Sequence, residues 1–576
     1  MITTSDAGPT TDSWRRTLAL ETLVVGIAAL GAAIVLTWPL IADAGHVAHD
    51  PFDPRFQAWT IDWVQHALGT NPLHLFDANI FAPESTTLAY SDSLLGVAVP
   101  MLPLRWLGAS PMAQLNIALL LGMATSAASA YLFGRYSSHS RIVGGLAAAA
   151  FAFGPFGTLS SGALHATVKA GIPLAALAAW WLADRAERGA ALLAPSALLV
   201  GITAWQLSVS FYPGAYTIAA AALVLAVRWR SLGRRGARFG LGSLVACVAA
   251  AAVLAIPYLS VRSEFPSFDR ELANLGPFGA DFARTDPRLS VWGDLLGLGE
   301  GWPVYGQPAF PGLMLLALAP IGLVSAWRAA GRARRVATTA AVLVVGGAFL
   351  GIGTAPDGWR AWSPYRILFE VVPGWRALRA TGRGWAIGVL GVGLLAGYGA
   401  LAVARWLSAR TRVRPPRLAA GVAAIAVLVI LGEGYAPWSH LTEVRTSPVD
   451  MALAADDTPP GGVLYLPALE PRGAARALSG FAQAENVYNT TAHHRRTPNG
   501  YSGFFPPSWV TTSRIVEDLP DARSLRRLRE LGIRYVVVRS WAEGGTWDTL
   551  LEPRRAAPLR FVGEFDGDLL YEVPPA

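Results

Sequence analysis

Six carboxylates crowd into one stretch near the start of the chain, HDPFDPRFQAWTIDWVQHALGTNPLHLFDANIFAPESTTLAYSD, residues 49–92: Asp50, Asp53, Asp62, Asp77, Glu84 and Asp92. The chain as a whole is 53% hydrophobic and only 15% charged, so acids gathered directly after an apolar segment call for an explanation. Asp53, with Asp50 and Asp92 as the next candidates, has the chemistry of a general base toward a hydroxyl, a role worth roughly 10²–10⁴ in rate. Asp53-Pro54 also reads as a helix start, because aspartate caps helices well and proline fits the first helical position. The two readings are compatible, since a cap can fix the side chain for chemistry. Phe52, Phe56, Trp59 and Trp63 then recur at helical spacing, with Gln57, Asp62, Gln65 and His66 off the stripe. This predicts an amphipathic helix lying in the headgroup layer.

A second group is cationic. SPYRILFEVVPGWRALRATGRGW, residues 363–385, holds Arg366, Arg376, Arg379 and Arg383, with Arg360 just before. The guanidinium fork suits phosphate, at about 1.5–3 kcal/mol per charge-assisted bond. The plainer reading is snorkelling to headgroups, or pairing with Glu370. His165 and Lys169, the only lysine in the chain, stand at the start of another apolar segment. An ionisable group there is a functional candidate. HHRRTPNGYSGFFPP, residues 493–507, adds His493, His494 and Arg495 among aromatics, suited either to sugar or phosphate or to docking onto the rest of the chain.

The elements that must hold these groups are set by hydropathy. Apolar runs of spanning length recur across the first three-quarters of 576 residues, and mean hydropathy is +0.38, so the class is a polytopic α-helical membrane protein. The expected spans, about eleven, lie near 18–40, 111–134, 142–157, 168–183, 190–209, 212–228, 239–260, 309–328, 336–353, 384–406 and 417–434. The run 94–107 is short, contains Pro100 and Pro103, and is read as re-entrant or superficial. With that run not crossing, arginine clusters such as Arg228 to Arg238 and Arg410 to Arg417 fall on the cytoplasmic side with the N-terminus, as the positive-inside rule requires. Residues 1–435 then form the membrane domain, with an outer loop 41–110. Residues 436–576 form an extracytoplasmic α/β domain. In it GGVLYLP and IRYVVVRS read as buried strands, PDARSLRRLRELG as an amphipathic helix, and LRFVGEF and LLYEV as a strand pair around Asp566-Gly567. The net charge of +8 reflects arginine in loops between spans and gives no reason to expect nucleic acid. Cys247 is the only cysteine and lies in an apolar run, which excludes disulfides, zinc knuckles and a cysteine nucleophile as themes. No Walker loop, G-x-S-x-G or H-E-x-x-H is present.

DPRFQAWTIDW, HLFDANIFAPESTTLAYSDSLLG, PYRILFEVVPGWRALRATGR and NGYSGFFPP…LRRLRELGIRYVVV, in that order, resemble bacterial membrane proteins of the GT-C glycosyltransferase superfamily, relatives of the protein mannosyltransferases and aminoarabinose transferases. The resemblance covers nearly the whole chain. It implies an enzyme of the bacterial inner membrane that moves a sugar from a polyprenyl-phosphate-linked donor to a glycan, lipid or protein acceptor outside the cytoplasm. It also implies a catalytic acid in the first outer loop, by position Asp53 and then Asp50. The expected partners are the lipid-linked donor, that acceptor and membrane lipids. On this reading Arg376, Arg379 and Arg383 take the donor phosphate, and in-line attack gives inversion. No cofactor is named by the residues. A divalent metal stays open, although the second outer loop, GPFGTLSSGALHATVK, offers no carboxylate to hold one. The rival readings are a transporter or flippase of lipid-linked sugars, which needs polar groups deep in the spans, and a non-catalytic envelope assembly factor.

Overall fold

The structure, a computed structural model, describes residues 11–159, 162–261, 282, 284–296, 309–354, 359–363, 365–372, 375–378, 380–411, 413–438, 440–456, 461–468, 476–542 and 547–575. In chain order its helices are α1 (Thr11–Leu36), α2 (Asp53–Thr70), α3 (Leu95–Trp106), α4 (Pro111–Ser138), α5 (Arg141–Phe153), α6 (Pro155–Leu159), α7 (Leu164–Thr167), α8 (Gly171–Glu187), α9 (Leu193–Val209), α10 (Phe211–Val227), α11 (Trp229–Leu254), α12 (Ile256–Val261), α13 (Leu313–Arg328), α14 (Gly331–Ile352), α15 (Tyr365–Val371), α16 (Trp385–Ser408), α17 (Pro415–Glu433), α18 (Pro448–Ala454), α19 (Arg476–Asn489), α20 (Pro507–Ile515) and α21 (Ala522–Glu530). Every expected span overlaps helical structure, although 142–157 falls on α5 and α6 and 239–260 on α11 and α12. Among the described residues eight helical stretches are long and apolar enough to cross a membrane, so this is a multi-pass membrane protein. The helices α9, α10 and α13 are shorter, at 17, 17 and 16 residues. The run predicted not to cross is α3, whose 12 residues reach only about 18 Å against a hydrocarbon core of about 30 Å.

The chain packs as two compact units: residues 1–41, 118–254 and 267–439 form the first, and 42–117, 255–266 and 440–576 the second. The first is a helical bundle around α16, which is buried from Trp385 to Ala400. Glycine allows the approach that this burial needs. A Cβ at Gly322 of α13 would lie 1.8 Å from the Leu395 carbonyl oxygen, and one at Gly399 of α16 would lie 2.0 Å from that of Leu318. Small residues facing each other are how apolar helices gain dispersion contact where lipid offers no hydrophobic gain. Threonines inside the bundle, such as Thr203 and Thr217, return their hydroxyls to the carbonyl four residues back, at 2.8 and 2.7 Å.

The second unit is built on a four-stranded sheet, taking β1 (Val47–Ala48), β2 (Thr442–Glu443), β3 (Gly462–Leu466), β4 (Ile533–Val538), β5 (Arg560–Phe565) and β6 (Asp568–Glu572) in chain order. The sheet order is β3-β4-β6-β5, parallel only between β3 and β4; β1 and β2 pair separately. The strands and the helix read from the sequence all appear, with α21 placed as the amphipathic helix before β4. At its centre Asp450 meets Arg539 at 3.1 Å and Tyr465 at 2.5 Å, and Arg539 reaches Asp568 at 2.8 Å. In a buried set of this kind each charge depends on its partner, and removing one leaves the other uncompensated.

Helix α2 corrects an expectation. It is not a surface helix on the headgroups: Pro54 to Gln65 are buried on both the tryptophan side and the polar side. The polar side chains are covered by partners that the helical wheel does not show. Arg55 donates to the Glu443 carbonyl at 2.9 Å and lies 5.2 Å from the Phe481 ring centre. Gln65 donates to Gln114 at 2.8 Å and to the Ala98 carbonyl at 2.9 Å.

Candidate functional site

The first loop and the 493–507 stretch build one surface of the second unit. Asn499 uses its side chain as a piece of strand beside β3, accepting from the Tyr465 N–H at 2.9 Å and donating to the Tyr465 carbonyl at 3.0 Å. Residues 79–82 continue that pairing: Thr497 N–H donates to the Asn79 carbonyl at 2.8 Å, Phe81 N–H to Asn499 at 3.0 Å and Ala82 N–H to Thr497 at 2.9 Å. Gly500 is required here, because a Cβ would sit 2.4 Å from the Phe81 ring. The next residue, Tyr501, rests its ring 5.4 Å from that of Phe56 and donates its hydroxyl to Asp53 Oδ1 at 2.7 Å.

This geometry separates the two roles considered for Asp53. The N-cap position is Phe52, whose side chain caps nothing; the acceptor at this helix start is Asp50, two residues earlier, whose Oδ1 takes the N–H groups of Phe52 at 2.8 Å and Asp53 at 3.3 Å. Asp53 is the first residue of α2, not its cap, and its carboxylate is exposed with one oxygen held by Tyr501. Burial first, and then the Asp53 charge, push the Tyr501 phenol up from its ordinary value of 10.0, so it stays a proton donor to the carboxylate. Asp92 is half-buried, and its charge acts on the Tyr258 phenol, which accepts the Ser93 N–H at 3.1 Å.

The three candidates of the 493–507 stretch lie within the same unit. His493, 1% exposed, approaches Tyr465 at 3.0 Å and Asp450 at 3.3 Å. Arg495 is buried and binds Asp456 and the Leu453 carbonyl. His494 sits at φ +53°, left-handed backbone that a non-glycine residue adopts at a cost of about 1 kcal/mol or more. That conformation brings its Nε2 to 2.7 Å from Asp62 and stacks its ring 3.8 Å from that of His66. Arg105 meets the other Asp62 oxygen at 2.5 Å. Burial, with His494 and Arg105 adding to it against Asp62, lowers His66 to about 4. Asp62, His66, Arg105 and Tyr501 were not singled out by the sequence. Their partners lie far along the chain, and only the off-stripe position of Asp62 and His66 hinted at them.

The cationic candidates belong to the first unit. Lys169 is buried, with Nζ 5.3 and 5.5 Å from the ring centres of Phe151 and Phe156. It lines a small apolar pocket with Arg383, Pro213 and Tyr216. Arg383 lies 4.8 Å over the Tyr212 ring, and His165 is within its electrostatic reach. Among the described residues neither cation has a carboxylate partner. Arg366 and Arg376 are placed differently: both pair with Glu370, and Arg376 also donates to the Phe369 carbonyl at 3.1 Å. Arg379 lies outside the described residues. Among the described residues no three His, Cys, Asp or Glu side chains converge to ligate a metal.

No family model matches the chain, and no curated protein matches it in sequence. Among solved structures it is similar to the archaeal oligosaccharyltransferase AglB of Archaeoglobus fulgidus in complex with an inhibitory peptide and a dolichol-phosphate. That match has 13% identity over 90% of this chain and 69% of that one, at a TM-score of 0.47. The chain is also similar to ArnT of Cupriavidus metallidurans bound to undecaprenyl phosphate, at 14% identity over 98% of this chain and 99% of that one, with a TM-score of 0.45.

Proposed function

We propose that the protein is a membrane glycosyltransferase of the GT-C type that moves a sugar from a polyprenyl-phosphate-linked donor to an extracytoplasmic acceptor hydroxyl, with inversion. The observation that carries this reading is that Lys169 and Arg383 line one apolar cavity, with His165 nearby: cations gathered in apolar surroundings suit a phosphate that arrives on a lipid, and the cavity, about 20 Å³, has to widen to admit it. Asp53 supplies the base. It takes the proton as the acceptor oxygen attacks the anomeric carbon. The bond from that carbon to the phosphate oxygen breaks, and its electron pair leaves with polyprenyl phosphate. Tyr501 holds the carboxylate in place, and Asp50 keeps the helix end closed so that Asp53 does not have to. The domain division expected at residue 435 needs one change: the first loop, 42–117, and residues 255–266 pack in one unit with 440–576, so the extracytoplasmic domain of this proposal includes them.

The test is reconstitution in liposomes with a polyprenyl-phosphate-linked sugar and a panel of hydroxyl acceptors. Release of polyprenyl phosphate that depends on the acceptor, with a product of inverted anomeric configuration, supports the proposal. Sugar crossing the bilayer still attached to its lipid, with no release, supports the transporter reading instead.

A further inference from the structure

The far end of α16 from Arg383 carries a second feature. There α13, α14, α16 and α17 part around an apolar groove of about 330 Å³, within the range of roughly 300–1,000 Å³ seen for small-ligand sites. Ala329, Ala333, Tyr398, Leu401 and Pro416 line it, and Arg405 stands at its edge, exposed. Two exposed tryptophans, Trp327 and Trp406, flank this end, as side chains at a membrane–water boundary do.

The charge around the groove has one sign. Residues 311–354 and 385–432, which supply these helices up to Glu433 at the other end of α17, contain no aspartate or glutamate. Two of their arginines are neutralised from α8: Arg332 by Asp184 at 3.3 Å and Arg335 by Glu187 at 3.0 Å. Among the described residues Arg405 donates only to the Leu401 carbonyl, at 3.3 Å, and Arg328, Arg414 and Arg417 have no acidic partner. An apolar slot with an uncompensated cationic edge at the boundary is complementary to a molecule with a hydrocarbon chain and an anionic head. Each arginine near the membrane surface adds about 1 kcal/mol toward anionic lipid.

We propose that this groove is a binding site for an anionic glycerophospholipid, with one acyl chain lying against Ala329 and Ala333 and the phosphate against Arg405, Arg414 and Arg417. It is separate from the donor pocket: Arg383 lies just before the start of α16 and Arg405 in its last turn, and the 20 residues from Trp385 to Arg405 rise about 30 Å.

Native mass spectrometry of the full chain, delipidated in detergent and titrated with lipid, tests this. The probes are phosphatidylglycerol, phosphatidylcholine with the same chains, and a polyprenyl phosphate. The parent should retain phosphatidylglycerol over phosphatidylcholine. Arg405→Ala should lower retained phosphatidylglycerol about fivefold and leave phosphatidylcholine unchanged, and Ala329→Phe, at an exposed position, should lower it by filling the slot. Lys169→Ala should leave it unchanged. Retention of phosphatidylglycerol at the parental level by both Arg405→Ala and Ala329→Phe would overturn the proposal in favour of a general lipid shell. Polyprenyl phosphate retained in preference to phosphatidylglycerol, and lost with Arg405→Ala, would overturn it in favour of the donor's own tail.

Discussion

Tyr501→Phe removes one oxygen atom and leaves the ring on Phe56, so the variant isolates the hydrogen bond to Asp53. A hydrogen bond to a charged group is worth about 1.5–3 kcal/mol, and the exposure of Asp53 puts this one at the lower end. Its loss releases the carboxylate from its fixed direction, and about 1.4 kcal/mol of orientation corresponds to a tenfold fall in kcat. Donor binding, assigned to Lys169 and Arg383, should not move. A steady-state assay with a lipid-linked sugar therefore expects kcat down about tenfold with KM for the donor unchanged. Asp53→Asn combined with Tyr501→Phe should be no slower than Asp53→Asn alone, because both act through one group. Parental kcat in Tyr501→Phe, or full additivity in the double variant, would refute the assignment of Tyr501 as the positioning residue.

Lys169→Ala or Arg383→Ala should weaken polyprenyl phosphate binding by about 1.5–3 kcal/mol, roughly ten- to hundredfold, whereas Arg376→Ala, already paired with Glu370, should change it little. Equal losses at all three positions, measured by lipid titration, would count against the pocket. His66 is held neutral in the fold down to about pH 4, while the unfolded chain takes up that proton near 6.5, so the unfolded state binds more protons between the two and the second unit loses stability as pH falls through that window. His66→Phe keeps the stacking on His494 and should flatten the pH dependence of thermal unfolding; an unchanged slope would assign the effect to other groups. Thr411→Cys in a Cys247→Ala background should react only from the cytoplasmic side, and reaction from outside would reverse the orientation drawn from the arginines.

What could be read from the sequence is what repeats locally. A run such as 384–406 reads as a helix of the bundle because its side chains are apolar or small as far as Arg405, and α16 is that helix, buried from Trp385 to Ala400. GGVLYLP and IRYVVVRS are continuous apolar runs of strand length, and they pair as β3 and β4. The site was legible only by residue type. Asp53, Lys169 and Arg383 stood out as ionisable groups beside apolar segments. Their partners did not, since Tyr501 is 448 residues from Asp53 and His494 is 432 from Asp62. Helix α2 shows the limit most plainly. Its pattern is amphipathic, yet its polar face is buried, because hydrogen bonds to distant chain satisfy the polar atoms as water would. Arg376 shows the same limit in reverse: it sits in the arginine run that suggested a clamp, but six residues before it in the chain Glu370 takes its charge.

The central claim is that Asp53 is the general base, with Asp50 closing the helix end. An asparagine at 50 keeps the Oδ1 that accepts the Phe52 and Asp53 N–H groups, so Asp50→Asn should leave the helix start and the chemistry close to parental, while Asp53→Asn removes only the base. The measurement is single-turnover release of polyprenyl phosphate by Asp53→Asn, Asp50→Asn and Asp92→Asn, each with donor binding checked alongside. The account predicts parental donor binding in all three and a fall in turnover of roughly 10²-fold or more in Asp53→Asn alone. Near-parental turnover by Asp53→Asn, with Asp50→Asn inactive, would contradict it and move the base to Asp50; near-parental turnover by all three would remove the first-loop carboxylates from the mechanism.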